Sequence, residues 1–230
     1  MRRDSEVRVD PKEVAARSAV AAVEQGMVLG LGTGSTAMKM LAALADRVHK
    51  EGLRVVCVPT SLATEREAMR LEIPITTLAA HPELDLALDG ADQVDPRLDC
   101  IKGYGGALLR EKIVARCARR FILMVDESKM SARLDKPVPV EVLPFGASAA
   151  RTRLEAMGGR PALRKSGSEI FVTDNGNQVF DVAFGELPDP GVVACRIADI
   201  PGVVDHGLFV GLAGEAHVAG AGGVRILRRK

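Results

Sequence analysis

Short apolar runs alternate with amphipathic stretches along the first part of the chain. Residues 27–32 (MVLGLG), 54–59 (RVVCVP), 75–79 (ITTLA), 84–92 (LDLALDGAD) and 121–126 (FILMVD) read as strands. Residues 11–26, 35–52, 61–74 and 107–120 carry helical spacing between them. Gly26 and Gly52 stand where two of these helices should stop, and Ser35 or Thr36 stands where the second should be N-capped. Strands without polar alternation, separated by amphipathic helices, predict a parallel sheet covered on both faces.

The pattern changes near Leu134. Residues 136–144 are strand-like and proline-rich, 148–159 helical, and 169–185 read as two strands around the turn Asp174-Asn175-Gly176-Asn177. Residues 190–202 follow as a helix, and 207–229 return to short strands. This predicts a small α+β unit inserted before the chain goes back to the first sheet. No internal repeat or low-complexity segment interrupts the chain.

Composition narrows the function. The 230 residues are 47% hydrophobic, enough for a sizeable core. With 31 basic and 30 acidic residues, no global field steers the chain to nucleic acid or an anionic membrane. No Trp and one Tyr leave few platforms for stacking bases. Cys57, Cys100, Cys117 and Cys195 form no C-x-x-C pair, and His49, His81, His206 and His217 have no ligand spacing. The histidines read as surface or turn residues and the thiols as those of a reducing cytosol. The start MRRDSEVRVD lacks the apolar region of a signal peptide, and no run reaches the ~18 apolar residues of a spanning helix.

The stretch LGLGTGSTA, from Leu29 to Ala37, is a glycine-rich loop directly behind an apolar run. A dinucleotide fingerprint beginning at Gly30 would need glycine at 35, where Ser35 stands, and an acidic residue ending the next strand, where VPTS stands. A P-loop needs Gly-Lys-Ser/Thr, and Lys39 lies four residues past Ser35. A monophosphate site fits: glycines admit a close anion, helix N-terminal N–H groups face it, and Thr33, Ser35 and Thr36 add hydroxyls. A ligand-free strand–helix turn is the alternative, and the loop alone does not decide.

Asp89 ends a strand at the edge where the glycine loop also lies, and Asp92 follows it. Asp89, Asp92 and Asp95 are three apart, which does not suit calcium; Asp95 reads as a solvated cap. In IKGYGGALLREKIVAR, Lys102 precedes a glycine turn and Glu111 follows on a helix. Glu111 shares a face with Leu108 and Ala115 and has alanine at both i−4 and i+4, so no helical ion pair explains it. A carboxylate so placed beside a cleft has a raised pKa and suits a general base, while Lys102 can meet a developing oxyanion. The plain alternatives are an exposed glutamate and a lysine that pairs with Asp89 or Asp92 to hold the loop.

GLGTGSTA, PTSLAT, LDGADQVD, IKGYGGALLREKIVA and FILMVDESK occur in order, followed by PVEVLPFG, GGRPALR, VTDNGN and IPGVVDHGLF. Together they resemble ribose-5-phosphate isomerase, type A, from about Pro11 to the C-terminus. The resemblance implies an α/β fold: a Rossmann-like parallel-sheet domain, expected over 1–134 and 208–230, and a smaller ferredoxin-like α+β domain over 135–207. It implies interconversion of D-ribose 5-phosphate and D-ribulose 5-phosphate through an enediol(ate), without metal or organic cofactor. Carried onto this sequence, it gives a phosphate loop of Thr33, Gly34, Ser35 and Thr36, with Lys129 and Lys12 approaching the phosphate. Asp89, Gly90, Ala91 and Asp92 form a second loop, and Lys102, Gly103, Tyr104 and Gly105 a third. Glu111 matches the general base, Lys102 the donor to the enediolate oxygen, Asp89 the carrier of hydroxyl and ring-oxygen protons, and Asp92 a group orienting the sugar. Tyr104 stands where some members have glycine. A sugar-phosphate sensor, a sugar-phosphate deaminase or a coenzyme A transferase of the same fold are the rivals. A homodimer in the cytoplasm is expected, with a small sugar phosphate as its ligand and neither nucleic acid nor membrane as partner.

Overall fold

A computed structural model describes residues 10–230. The N-terminal stretch without an apolar region, apart from Asp10, lies outside the described residues.

The chain runs through helix α1 (Pro11–Val20), strand β1 (Val28–Leu31), α2 (Ser35–Glu51), β2 (Val56–Pro59), α3 (Leu62–Arg70) and β3 (Leu84–Asp89). The short strands β4 (Gln93–Val94) and β5 (Cys100–Ile101) follow, then α4 (Leu108–Cys117) and β6 (Ala118–Asp126). Next come β7 (Val138–Val142), α5 (Ala147–Ala156), β8 (Arg160–Leu163), β9 (Lys165–Ser166), β10 (Glu169–Ile170), β11 (Gln178–Ala183), α6 (Pro190–Ala198) and β12 (Val203–His206). The chain closes with β13 (Leu208–Phe209), β14 (Glu215–Gly220) and β15 (Gly223–Arg228).

The main sheet has the order β15-β14-β6-β3-β1-β2, parallel throughout except for the β14–β15 hairpin. Its apolar runs follow from two-sided burial. Along β6, Ile122 and Met124 pack with α1 and α2, whereas Phe121, Leu123 and Val125 join Val114 and Ala115 of α4 on the other face. The second sheet has the order β12-β7-β11-β8, all antiparallel, and the sequence β7-α5-β8-β11-α6-β12 gives it the ferredoxin-like topology. Val138, Val140 and Val142 of β7 pack there against Leu154, Phe180 and Ile197. Ile101 and Leu208 belong to that same core, and the small sheet β13-β5-β4 therefore stands where the two layers meet.

Several local expectations change. The first helix ends at Val20, not Gly26, and Gly26 instead takes a φ of 82° in the turn before β1. Residues 75–79 are no strand; Ile75 makes one bridge, to Cys57. The helix predicted to Arg120 stops at Cys117, because Ala118 turns extended and pairs with Leu84. The 169–185 hairpin keeps its turn, its second arm and one bridge, Val172 to Gln178, but Glu169–Ile170 folds back on Lys165–Ser166. The turn is anchored over a long range: buried Glu141 Oε1 accepts from Thr173 Oγ1 and from the side-chain amides of Asn175 and Asn177. Asp95 is buried, accepting from the Arg97 and Asp99 N–H groups, so it closes a turn and is not solvated. His206 and His217 are likewise buried; His217 lies between Ser18 Oγ at 2.7 Å and Glu215 Oε1 at 2.8 Å.

Candidate active site

Because β1, β2 and β3 run parallel, the segments leaving them emerge at one sheet edge. The chain leaving β1 passes directly over the Asp89 carboxylate: a Cβ on Gly32 would sit 2.0 Å from Asp89 Oδ1, so only glycine fits. Gly34, at φ 104°, is the N-cap of α2, and no side chain caps that helix. The expected caps Ser35 and Thr36 are its first residues instead, so their hydroxyls and the unpaired first-turn N–H groups remain available to an anion. Ser35 Oγ accepts from Lys12 Nζ at 3.0 Å. Lys12 is placed by α1, whose N-cap Asp10 accepts from the Lys12 backbone.

Thr33 is held from below. Its hydroxyl lies 2.8 Å from Thr60 Oγ1, 2.9 Å from Ser61 Oγ and 3.1 Å from Thr64 Oγ1, and the latter donates to the Gly32 carbonyl. Thr60, Ser61 and Thr64 are buried supports to which the sequence reading gave no role. Their position directly after β2, at the same sheet edge, was the available signal.

The floor is a three-membered charge cluster. Lys102 Nζ lies 2.8 Å from Asp89 Oδ2 and 3.4 Å from Glu111 Oε2, and donates to the Gly90 carbonyl at 2.6 Å. All three side chains are at most 5% exposed. Asp89 Oδ1 also accepts from the N–H of Gly90 at 2.7 Å and of Thr33 at 3.2 Å. Glu111 Oε2 is an ion-pair neighbour of Lys102 yet accepts no hydrogen bond. Leu108 and Ala115, on the same face of α4, are buried with it, as the spacing predicts.

This geometry sets the protonation states. Burial pushes the Glu111 carboxyl up to about 8, Asp89 adds to the rise, and Lys102 only partly opposes it. Burial also raises Asp89 against the pull of Lys102 and the two N–H donors. Burial alone would lower Lys102, but the Asp89 and Glu111 carboxylates outweigh it and hold the ammonium above its ordinary range. The cluster thus carries a fixed cation beside a carboxyl that titrates near neutrality.

Above this floor opens a small cleft lined mainly by polar groups. Lys12, Thr33–Thr36 and Lys129 line it together with Gly90, Ala91, Asp92, Lys102, Gly103, Gly105 and Glu111. Lys129 comes from the single turn Glu127–Lys129 after β6. Of the residues proposed from the sequence, Asp89 and Tyr104 do not line the cleft. Asp89 lies one ammonium behind it. The Tyr104 side chain turns away, its hydroxyl donating to the Pro137 carbonyl at 3.1 Å, while its backbone N–H donates to Asp92 Oδ2 at 3.0 Å. The loop therefore holds Asp92 through the tyrosine's backbone, and the ring takes no part in the lining.

A parallel α/β sheet whose edge brings an anion-ready helix start and a buried acid–base cluster to one cleft defines an enzyme that grips a small anionic molecule and moves its protons. The comparisons agree. The family model of ribose 5-phosphate isomerase A (phosphoriboisomerase A) matches residues 56–223. A ribose-5-phosphate isomerase A of Roseiflexus sp. strain RS-1 is 52% identical over 217 residues, 93% of each chain. One from Methanosarcina acetivorans is 46% identical over 95% of this chain and 94% of its own. Among solved structures, ribose 5-phosphate isomerase A from Methanocaldococcus jannaschii superposes with a TM-score of 0.91 at 39% identity, covering 95% of this chain and 98% of its own. A D-ribose-5-phosphate isomerase solved in complex with phospho-erythronic acid gives 0.92 at 36% identity over the same shares. The chain belongs to the ribose 5-phosphate isomerase A family, a family of isomerase enzymes.

Proposed function

We propose that Glu111 carries the carbon-bound proton in the interconversion of D-ribose 5-phosphate and D-ribulose 5-phosphate, with Lys102 neutralising the enediolate. The observation that carries this is Lys102 Nζ held between Asp89 and Glu111 in a cleft that the start of α2 and Lys12 also line. The substrates follow from the names of the family's members and the bound phospho-erythronic acid from one solved relative.

In the open-chain aldose, the Glu111 carboxylate takes the proton from C2. The C2 electron pair forms the C1–C2 double bond, and the C1 carbonyl electrons move onto O1, which faces the Lys102 ammonium. Return of the proton from Glu111 to C1, with the O2 proton passing to O1, completes the ketose. A group near neutrality can do both. Asp89, expected from the sequence to serve the hydroxyl and ring-oxygen protons, lies behind Lys102 and instead holds that ammonium in place, and Asp92 orients the sugar. Thr33, Gly34, Ser35, Thr36, Lys12 and Lys129 hold the phosphate, so that binding energy from the non-reacting end positions C1 and C2.

The same reading divides the chain into 1–134 with 208–230 and 135–207, the two sheets falling on either side of that division. It places the enzyme in the cytoplasm, in pentose phosphate metabolism, as a homodimer. Among the described residues no helix is long and apolar enough to cross a membrane. A sensor on this fold would need neither Glu111 nor Lys102 in the cleft, and both line it. The test is direct: purified chain supplied with ribose 5-phosphate, read by ketose formation. Ketose at no more than the level of the Glu111→Gln variant would overturn the proposal.

A further inference from the structure

Lys112 follows Glu111 on α4 and points the other way, into the junction between the two sheets. Its side chain is 6% exposed. Its ammonium lies 2.5 Å from Asp205 Oδ1, donates to the His206 carbonyl and lies 3.3 Å from His206 Nδ1. The next residue in the chain, Gly207, accepts from the Lys102 backbone N–H at 2.8 Å and donates to the Pro139 carbonyl at 2.6 Å. A Cβ on Gly207 would come within 2.1 Å of the Lys102 carbonyl oxygen, so the approach requires glycine. The Phe209 ring sits between the two ammonium groups, 5.1 Å from Lys112 Nζ and 5.5 Å from Lys102 Nζ.

Both halves of the reacting pair are therefore tied to one short stretch of chain at the end of β12. Glu111 is tied through its neighbour Lys112, and Lys102 through its own backbone. Burying an ammonium costs several kcal/mol unless it is well paired. The chemistry assigned above makes no use of Lys112. We propose that Lys112 is a positioning residue: by binding Asp205 and His206 it sets the spacing between Glu111 and Lys102. This rests on the reading of those two as the reacting pair.

The charges around the pair are few. Glu111 faces Asp89 from β3, Asp92 from the loop after it and Lys102 from the turn before α4. Lys112 faces Asp205 and His206 of β12, with Arg116 on its own helix and the Cys100 thiol of β5 nearby. Burial and the Lys112 charge hold His206 down at about 4, so its ring is neutral in the working range and Nδ1 can accept from the Leu208 N–H. The charges that shift Glu111 most are those of Asp89, Lys102 and Asp92, and the effect assigned to Lys112 runs through placement. If Lys102 moves off, Glu111 loses a charge that pulls its pKa down.

The test is steady-state kinetics with ribose 5-phosphate on Lys112→Met and Asp205→Asn. Lys112→Met should lower kcat per folded site roughly 10²-fold, as expected of a misplaced reacting group. KM should stay within about threefold, because the phosphate end is untouched. The acidic limb of the kcat/KM profile should move to higher pH. Asp205→Asn, on the more exposed partner, should move kcat and the limb in the same directions by less, and it decides the matter if Lys112→Met does not fold. A kcat within about twofold of wild type per folded site in the deciding variant, or a loss of kcat with an unmoved pH limb, overturns the proposal. Glu111→Gln run alongside separates the failures: an active Glu111→Gln removes the underlying reading, whereas an inactive one with normal Lys112→Met removes only the positioning role.

Discussion

Glu111 Oε2 lies 3.4 Å from Lys102 Nζ, is itself buried, and accepts no hydrogen bond among the described residues. Asp89 takes the shorter contact and two backbone N–H donors as well. The two carboxylates thus share one cation unequally. Asp89 is the better hydrogen-bonded anion, and Glu111 is the carboxylate that faces the cleft.

Glu111→Gln should keep fold and substrate binding and lose turnover by about 10²- to 10⁴-fold, the usual worth of a positioned base. The amide keeps the shape of the side chain and removes only the exchangeable proton. Turnover near the wild-type value would remove Glu111 from the mechanism.

The same residue predicts two pH dependences. In the proposed mechanism ionised Glu111 is the base, and its pKa is raised to about 8 by burial and by Asp89. kcat/KM should therefore climb as pH rises toward about 8. For stability the sign is opposite. Between the ordinary carboxyl range near 4.5 and about 8 the folded state holds a proton that the unfolded state has released, so stability falls as pH rises through that window. Glu111→Gln cannot ionise, and should melt progressively above wild type from pH 4.5 to about 8. Parallel melting curves for the two proteins across that range would contradict the raised pKa.

Ser35→Ala combined with Thr36→Ala should cost about 1–3 kcal/mol of substrate affinity, the sum of two neutral hydrogen bonds. The helix start should survive, because Gly34 and not either hydroxyl is the N-cap of α2. Free ribose should be a poor substrate for both proteins and feel the change little. Unaltered affinity for ribose 5-phosphate would place the phosphate elsewhere.

Lys102 stands where a divalent cation would stand if one bridged Asp89 and Glu111, and those carboxylates keep it charged. Ketose formation should therefore survive exhaustive chelation. Activity lost in chelator and restored by one divalent metal would show that the ammonium is not sufficient.

How much of this was legible depends on the range of the interactions. The parallel strands are buried on both faces and announce themselves as apolar runs. The glycine loop, Lys102 and Glu111 sit at strand and helix ends that spacing alone locates. Ser35 and Thr36 misled because a hydroxyl at a helix start has the same pattern whether it caps the helix or faces a ligand. The hairpin around the turn at 173–177 is reduced to one bridge, Val172 to Gln178, and Glu141, some thirty residues away in sequence, gathers three side-chain donors there. The buried lysine beside Glu111 depends on Asp205 and His206, more than ninety residues on. On a helix wheel such a lysine reads as solvated, and only the packing of the second sheet shows otherwise.

Lys102→Ala should lower turnover far more than it raises KM. The lysine can be structural, pairing with Asp89, or electrostatic, meeting the enediolate, and the geometry allows both: Nζ contacts Asp89 and Glu111, and the residue lines the cleft. Melting temperature therefore cannot separate the roles, although a purely catalytic lysine would leave it nearly unchanged. Removing one partner of a buried ion pair costs about 3–5 kcal/mol, so the variant should melt lower in either case. The kinetic split does separate them. A charge needed only when the sugar oxygen becomes anionic acts on the transition state, and one such donor is worth about 10²- to 10³-fold in rate. A lysine that merely holds the loop would change the fraction of folded protein and leave kcat per folded site intact. Turnover normalised to folded sites, measured at saturating ribose 5-phosphate, is the deciding number. A normalised kcat close to wild type would leave Lys102 a structural residue and require another donor for the enediolate oxygen.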